Sequence, residues 1–233
     1  GGASVTLAVA PRRGHLSDAC ASLMNLYAET KSDPSGLHAR ISEVVSEYGL
    51  GRDGYFRARD DFNAAGTQDP ALFVYLMTLC HNAIWRTNKS GKFNVPRGDR
   101  KDPSWPTRAD YATAARALKG VDLCVGDWRD VLSGVDLSVG DCLYVDSPYE
   151  GTFDGYSGKW SEADHDDLAR YLRDVAEWGV KVFVSQPDSE SARHRFVEWC
   201  DPIRIDKSCG YAVGGKSDRR ASISEILWVG RVV

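Results

Sequence analysis

The apolar positions of this chain repeat with two periods. After an apolar stretch at Val5 to Val9 and a turn at Pro11 to Gly14, His15-Leu16-Ser17-Asp18 reads as a strand ending in an acid. A helix carrying Leu23, Leu26 and Tyr27 follows. Residues 36–80 are helical by pattern, with Ile41, Val44, Val45 and Tyr48 at three- and four-residue spacing and Phe73, Leu76, Met77 and Cys80 likewise. Segment 81–106 breaks that period with Asn, Gly and Pro and predicts a loop or hairpin. Helix returns over 107–118, with Thr107 as its cap. Strands are expected at Val121 to Val125, at Leu143 to Val145 (short and buried), at Val180 to Val184 and at Ile223 to Val229. Between them Ser161 opens a helix ended by Gly179, whose apolar face is Leu168, Tyr171, Leu172, Val175 and Trp178. Strand, helix and strand on both sides of a polar insert predict an α/β fold with a mainly parallel sheet. Ligands in such sheets sit at the carboxyl ends of the strands.

Composition narrows the class. A chain of 233 residues with 42% hydrophobic and 27% charged residues is globular, either one domain or one domain carrying a sizeable insert. The longest apolar run, Leu72 to Met77, is too short to cross a bilayer. No basic flank with an apolar middle marks a signal peptide at the start. Six cysteines at irregular spacings, none forming a CxxC pair, fit a reduced cytoplasmic protein, and no His/Cys cluster calls for a metal. The opening Gly1-Gly2-Ala3-Ser4-Val5 carries no initiator methionine and reads like the middle of a motif, so a preceding segment is expected.

Charge changes the picture further. The formal net charge of −4 argues weakly against a nucleic-acid partner. Yet Arg86, Lys89, Lys92, Arg97, Arg100, Lys101 and Arg108 lie in one short stretch with only Asp99 and Asp102 against them. A basic island on an acidic body focuses positive potential and attracts a polyanion. Trp85, Phe93 and Trp105 stand in the same stretch among Asn82, Asn88 and Asn94, a mixture suited to contact with bases.

Candidate chemistry sits directly after the short strand, in Asp146-Ser147-Pro148-Tyr149. Four residues of this kind are a weak signal alone, and turn chemistry explains most such matches. Here, however, the carboxylate lies at the sheet's carboxyl edge, and Pro148 fixes the backbone between it and the Tyr149 ring. The arrangement suits an exocyclic amine on a flat base. Asp146 accepts one N–H, the carbonyl of Ser147 accepts the other, and Tyr149 stacks on the ring. The amine lone pair is then left for in-line attack on an electrophilic methyl, by positioning and electrostatic preorganisation.

Asp-x-Pro-Tyr at this place resembles the D/N/S-P-P-Y/F/W motif of amino methyltransferases that use S-adenosylmethionine. The run from Asn82 to Gly98, Asn-Ala-Ile-Trp-Arg-Thr-Asn-Lys-Ser-Gly-Lys-Phe-Asn-Val-Pro-Arg-Gly, resembles the target-recognition hairpin of Dam-type DNA adenine methyltransferases. Those enzymes carry Asn-Gly-x-x-Arg-x-Asn-x-x-Gly-x-Phe-Asn-Val-Pro-x-Gly. Further pieces follow in the family's order. Gly1-Gly2 is similar to the end of the Phe-x-Gly-Gly donor loop, Asp18-Ala19 to the acid after the second strand, and Gly126-Asp127-Trp128 to the segment holding the donor's adenine. Phe153 to Tyr156 and Trp160 resemble the aromatic loop after the catalytic motif, and Ser185-Gln186-Pro187-Asp188 a loop near the extruded adenine, with no role named there.

The resemblance implies a Rossmann-like methyltransferase sheet, with residues 1–35 and 119–233 catalytic and an inserted helical and hairpin target-recognition domain at 36–118. It implies S-adenosylmethionine bound by Gly1, Gly2, Asp18, Ala19, Asp127, Trp128 and Asp146, and catalysis by Asp146, Ser147, Pro148 and Tyr149. Double-stranded DNA would be held by His81, Asn82, Ile84, Arg86, Asn88, Lys89, Lys92, Asn94, Pro96 and Arg97. Within that set Arg86 would read a guanine, Ile84 and Pro96 would touch thymine methyls, and Asn88 with the lysines would position phosphates. The adenine would be flipped out for N6 methylation by a monomer without metal or protein partner.

Two residues depart from the family. Ser147 replaces the motif's first proline, keeping the carbonyl but adding an N–H. Asp99 replaces an arginine that many members carry just after the hairpin's last glycine, so a GATC target does not carry over. The residues also admit N4-cytosine or RNA amino methylation, a DNA-binding relative without catalysis, and a small-molecule α/β enzyme.

Overall fold

The computed structural model describes residues 2–149, 160–205 and 225–231, and they fall into two compact units divided at Gly134/Val135. Gly1, the aromatic loop Phe153 to Tyr156, Cys209 and Ile223 lie outside the described residues.

The first unit is mostly helical. Helix α1 (Ser4–Val9) precedes strand β1 (Gly14–Asp18), and α2 (Ala21–Ser32) leads to α3 (Pro34–Tyr48), α4 (Arg52–Ala64) and α5 (Pro70–Leu79). The apolar pattern over 36–80 does not by itself divide the last three. Asp33 caps α3 by accepting from the Gly36 N–H, Gly49 with a φ of 66° ends it, and Asp69 starts α5 by accepting from the N–H groups of Ala71 and Leu72, each acid followed by a proline in the first turn. Helix α6 (Arg108–Leu118) starts at Thr107, as expected, in a reciprocal capping box with Asp110. Strand β2 (Val121–Val125) then pairs in parallel with β1, and α7 (Trp128–Ser133) closes the unit. Its largest apolar cluster joins Tyr55, Phe62, Phe73, Tyr75, Leu76 and Leu79 of α4 and α5 to Trp85, Phe93 and Val95.

The second unit holds β3 (Cys142–Val145), α8 (Glu162–Glu177), β4 (Lys181–Pro187), α9 (Glu190–Phe196), β5 (Cys200–Ile205) and β6 (Glu225–Gly230). Ser161 caps α8 with Asp164, and His165, Leu168, Ala169, Leu172, Val175 and Ala176 are buried at helical spacing. Trp178, expected on that face, lies past the last turn and is 65% exposed.

The α/β class holds, but the described strands form two sheets, β1-β2 and β3-β4-β6-β5, and the larger one is mixed. Only β3-β4 is parallel there; β6 runs antiparallel between β4 and β5. Consecutive strands that neighbour each other, as β5 and β6 do, need no crossover when antiparallel. Strand β3 is also less buried than expected, with Cys142 and Tyr144 exposed at one margin of the described sheet.

Candidate functional site

Parallel pairing puts two acids side by side in the first unit. Asp18 and Val125 are register partners, and the Gly126 N–H donates to the Asp18 carbonyl at 3.2 Å, so Asp18-Ala19 and Gly126-Asp127-Trp128 leave the same carboxyl edge. Each carboxylate orders the turn after it. Asp18 Oδ1 accepts from the Cys20 N–H at 2.7 Å, and Asp127 Oδ1 from the Arg129 N–H at 2.9 Å. Asp127 is exposed, Asp18 is half-buried, and the Arg129 guanidinium lies 4.7 Å from the centre of the Trp128 ring. The donor set at this edge is two carboxylates and an indole. It fits a ligand offering hydroxyl or amine donors and a flat ring.

The segment after α5 is a hairpin, as the sequence predicted. Antiparallel bridges join Cys80 to Arg97 and Thr87 to Phe93, and the His81 N–H donates to the Pro96 carbonyl. Gly98 permits the closure, because a Cβ there would meet the Cys80 carbonyl oxygen at 3.0 Å and His81 Cα at 3.1 Å. At the entry, exposed Asn82 and Ala83 take left-handed backbone with φ of 55° and 52°. At the tip, Asn88 Oδ1 accepts from the N–H groups of Ser90 and Lys92, an Asx-type turn.

The hairpin's cations divide by function. Arg97 Nε and Nη2 donate to the Leu50 carbonyl and Nη1 to that of Gly98, so this guanidinium braces the loop base. Arg86 Nε donates to Asn94 Oδ1 at 2.7 Å and its Nη2 to the Asn94 carbonyl at 3.3 Å. Lys89, Lys92 and Lys101 are exposed, with no hydrogen bond or ion pair among the described residues. His81, Asn82, Asn88 and Pro96 are exposed as well, and Ile84 and Asn94 half-buried.

The aromatics are a correction. Trp85 (9% exposed) and Phe93 (1%) do not offer their rings to bases; they stack on each other 5.2 Å apart and pack edge-on against Phe62. Trp105 stacks on Tyr75. Large rings beside an apolar helix pair gain about 1.5–3 kcal/mol each by burial, more than an exposed position offers. Sequence reasoning also missed the polar anchors. Asn63 of α4 clamps both backbone groups of Phe93, at 2.8 and 3.0 Å, and the Tyr55 hydroxyl donates to the Val95 carbonyl. These partners are 30 and 40 residues apart, and no local pattern signals them.

In the second unit β3 runs straight into Asp146-Ser147-Pro148-Tyr149, with Asp146 exposed and Ser147 buried. Gln186 Nε2 donates to Ser147 Oγ at 2.9 Å. The Tyr149 hydroxyl donates to Glu225 Oε1, which also accepts from Ser185 Oγ at 3.0 Å. Burial, and then the Glu225 hydrogen bond, push the Tyr149 phenol far above its ordinary range, so it stays neutral. Ser185, Gln186 and Pro187, expected in a loop, belong to β4, because their ladder with Glu225–Leu227 of β6 continues through the polar residues.

Residues 1–206 match the family described as D12 class N6 adenine-specific DNA methyltransferase. The chain belongs to this family. It is 28% identical to the Retron Ec67 DNA adenine methylase of Escherichia coli over 89% of this chain and 75% of that protein. It is 29% identical to the Type II methyltransferase M.MjaIII of Methanocaldococcus jannaschii, over 73% of this chain and 64% of the relative. With the DNA N-6-adenine-methyltransferase of Escherichia phage P1 it shares 26% identity over 98% of this chain, which spans 31% of the phage protein. The family's reaction class, methylation of DNA adenine, is the one the two motifs implied. None of these relatives' names points to cytosine or RNA. No described helix of this methyltransferase is long and apolar enough to cross a membrane.

Proposed function

We propose that this methyltransferase transfers a methyl group from S-adenosylmethionine to N6 of an adenine flipped out of duplex DNA. The observation that carries the reading is the catalytic turn itself: a strand that ends in an exposed carboxylate, a buried serine whose carbonyl follows, and a tethered tyrosine ring. In the same reading residues 36–118 recognise the target, and 1–35 with 119–233 carry the chemistry.

S-adenosylmethionine, when bound, supplies an electrophilic methyl on a sulfonium. Asp18, with Ala19 next to it, would accept hydroxyl or amine donors from it, Asp127 its adenine amine, and Trp128 would pack against its adenine. Asp146 accepts one N6 proton in a hydrogen bond, and the Ser147 carbonyl accepts the other. Tyr149 stacks on the base and excludes water from one face. Together they aim the N6 lone pair, so the rate gain comes from orientation and fixed dipoles. The hairpin would grip DNA through Arg86, Lys89 and Lys92, with the backbone of His81 and Asn82 at its entry.

The test is transfer of labelled methyl into unmethylated duplex DNA followed by nucleoside analysis. N6-methyladenine is the expected product, and Asp146→Ala should lower kcat by a factor of about 100 or more. Near-normal transfer by Asp146→Ala removes the catalytic assignment. DNA binding with no methyl incorporated by the parent chain would favour a binding relative instead.

A further inference from the structure

We propose that Gln186 and Glu225 are positioning residues of the catalytic turn, holding Ser147 and Tyr149 on either side of Pro148. The proposal rests on the methyl-transfer reading above and gives work to two residues that reading does not use.

Both side chains are buried, Gln186 at 5% and Glu225 at 8% exposure. Burying an amide or a carboxylate is costly unless it is partnered, and the partners here lie in or beside the turn. Gln186 reaches the Ser147 hydroxyl at 2.9 Å, and its amide stands 3.5 Å from the Ser147 carbonyl. Glu225 Oε1 accepts from the Tyr149 hydroxyl and from Ser185. Ladder pairing fixes both residues, because Gln186 faces Ile226 and Pro187 faces Glu225 in the β4–β6 register. Strand backbone thus carries both tethers, a stiffer support than a loop. Behind Ser147 the cavity shared with His165, Leu168 and Phe196 measures only about 10 Å³, so the turn has little room to retreat.

The departure from the family's motif gains a physical account. A proline at position 147 would restrict the turn through its ring. Serine gives up that restriction, but it has a hydroxyl that Gln186 holds. The tether therefore runs mainly through the hydroxyl at 2.9 Å, with the carbonyl at 3.5 Å the weaker acceptor: most of the effect of Gln186 should be lost once residue 147 has no hydroxyl. At the other end the Tyr149 ring, which meets the base, is fixed in azimuth by its own hydroxyl.

Double-mutant cycles on the full chain test this. Gln186→Ala, Ser147→Ala and their combination form one cycle, and Glu225→Ala, Tyr149→Phe and their combination the other. Each single change should lower kcat about tenfold with KM for DNA little altered, and each double should be no worse than its worse single. Glu225→Gln keeps an acceptor oxygen and should restore most of the rate lost in Glu225→Ala. Multiplying losses, or a KM effect with unchanged kcat, overturns the proposal. A 3-fluorotyrosine at position 149 gives a readout free of activity. Its fluorine resonance should move in Glu225→Ala and return toward the parent position in Glu225→Gln. An unmoved resonance overturns the Glu225 tether. If the parent chain transfers no methyl, the methyl-transfer reading falls, while the fluorine measurement still decides the tether.

Discussion

Arg86 shows how a single side chain can be prepared for recognition. A guanidinium has five N–H donors in a planar fork. Asn94 takes the Nε donor and one from Nη2, so the side edge is occupied and the end-on pair of nitrogens remains for a ligand. End-on donation suits the O6 and N7 of a guanine, and holding the fork in advance lowers the entropy lost on contact. Arg86→Ala should therefore cost about 1–3 kcal/mol of discrimination at one base position. Asn94→Ala should lose part of the same discrimination, and Asn94→Asp should retain it. Competition binding with duplexes substituted at single positions measures this. Uniform weakening across all sequences would show that Arg86 contacts phosphate instead.

At the scale of elements, the hairpin stands on the helices beneath it. Phe93 is the keystone: its ring lies in the Phe62–Trp85 cluster and its backbone is clamped by Asn63. Phe93→Ala should destabilise the first unit by about 3–5 kcal/mol, the range for large aromatic truncations in cores. Asn63→Ala should cost less, about 1–3 kcal/mol, by leaving the two Phe93 backbone groups without their side-chain partner. Urea denaturation gives both values, and limited proteolysis of the native chain should show cleavage moving into 81–98. Equal stability of Phe93→Ala and the parent would place that ring outside the core. This division also explains what could be read in advance. Helix caps at Thr107 and Ser161, the hairpin and the strand before Asp146 are local features, so residues a few positions apart encode them. The antiparallel place of β6, the breaks between α3, α4 and α5, and the tethers from Gln186 and Glu225 were not legible. All but the helix breaks depend on pairing between residues far apart in sequence. Rings of the basic segment were misread because composition carries no direction: Trp85 and Phe93 share a stretch with lysines but point the other way.

Over the whole molecule, fewer cations of the hairpin region are open to direct phosphate contact than their count suggests. The chain carries a formal −4, and the 86–108 stretch an excess of five positive charges. Of those seven cations, Arg97 braces backbone carbonyls, Arg100 donates to the Thr78 carbonyl and Arg108 to the Ser35 hydroxyl. Arg86 is engaged on its side edge by Asn94. Lys89, Lys92 and Lys101 remain, exposed and available to phosphates. Each phosphate neutralised releases condensed counterions, and the logarithm of affinity then falls with the logarithm of salt by about 0.9 per contact on duplex DNA. Replacing the three lysines together by glutamine should therefore flatten the salt dependence by a slope of roughly 2.7 and weaken every duplex alike. Discrimination between duplexes should be unchanged, since Arg86 and Asn94 are intact. Arg97→Gln should behave oppositely, lowering stability through the lost carbonyl contacts while leaving the slope nearly as it was. Anisotropy titrations over a series of salt concentrations separate the two. A slope unaffected by removing the three lysines would move the phosphate contacts to other cations, and a slope changed by Arg97→Gln would give that guanidinium a second role on the backbone of DNA.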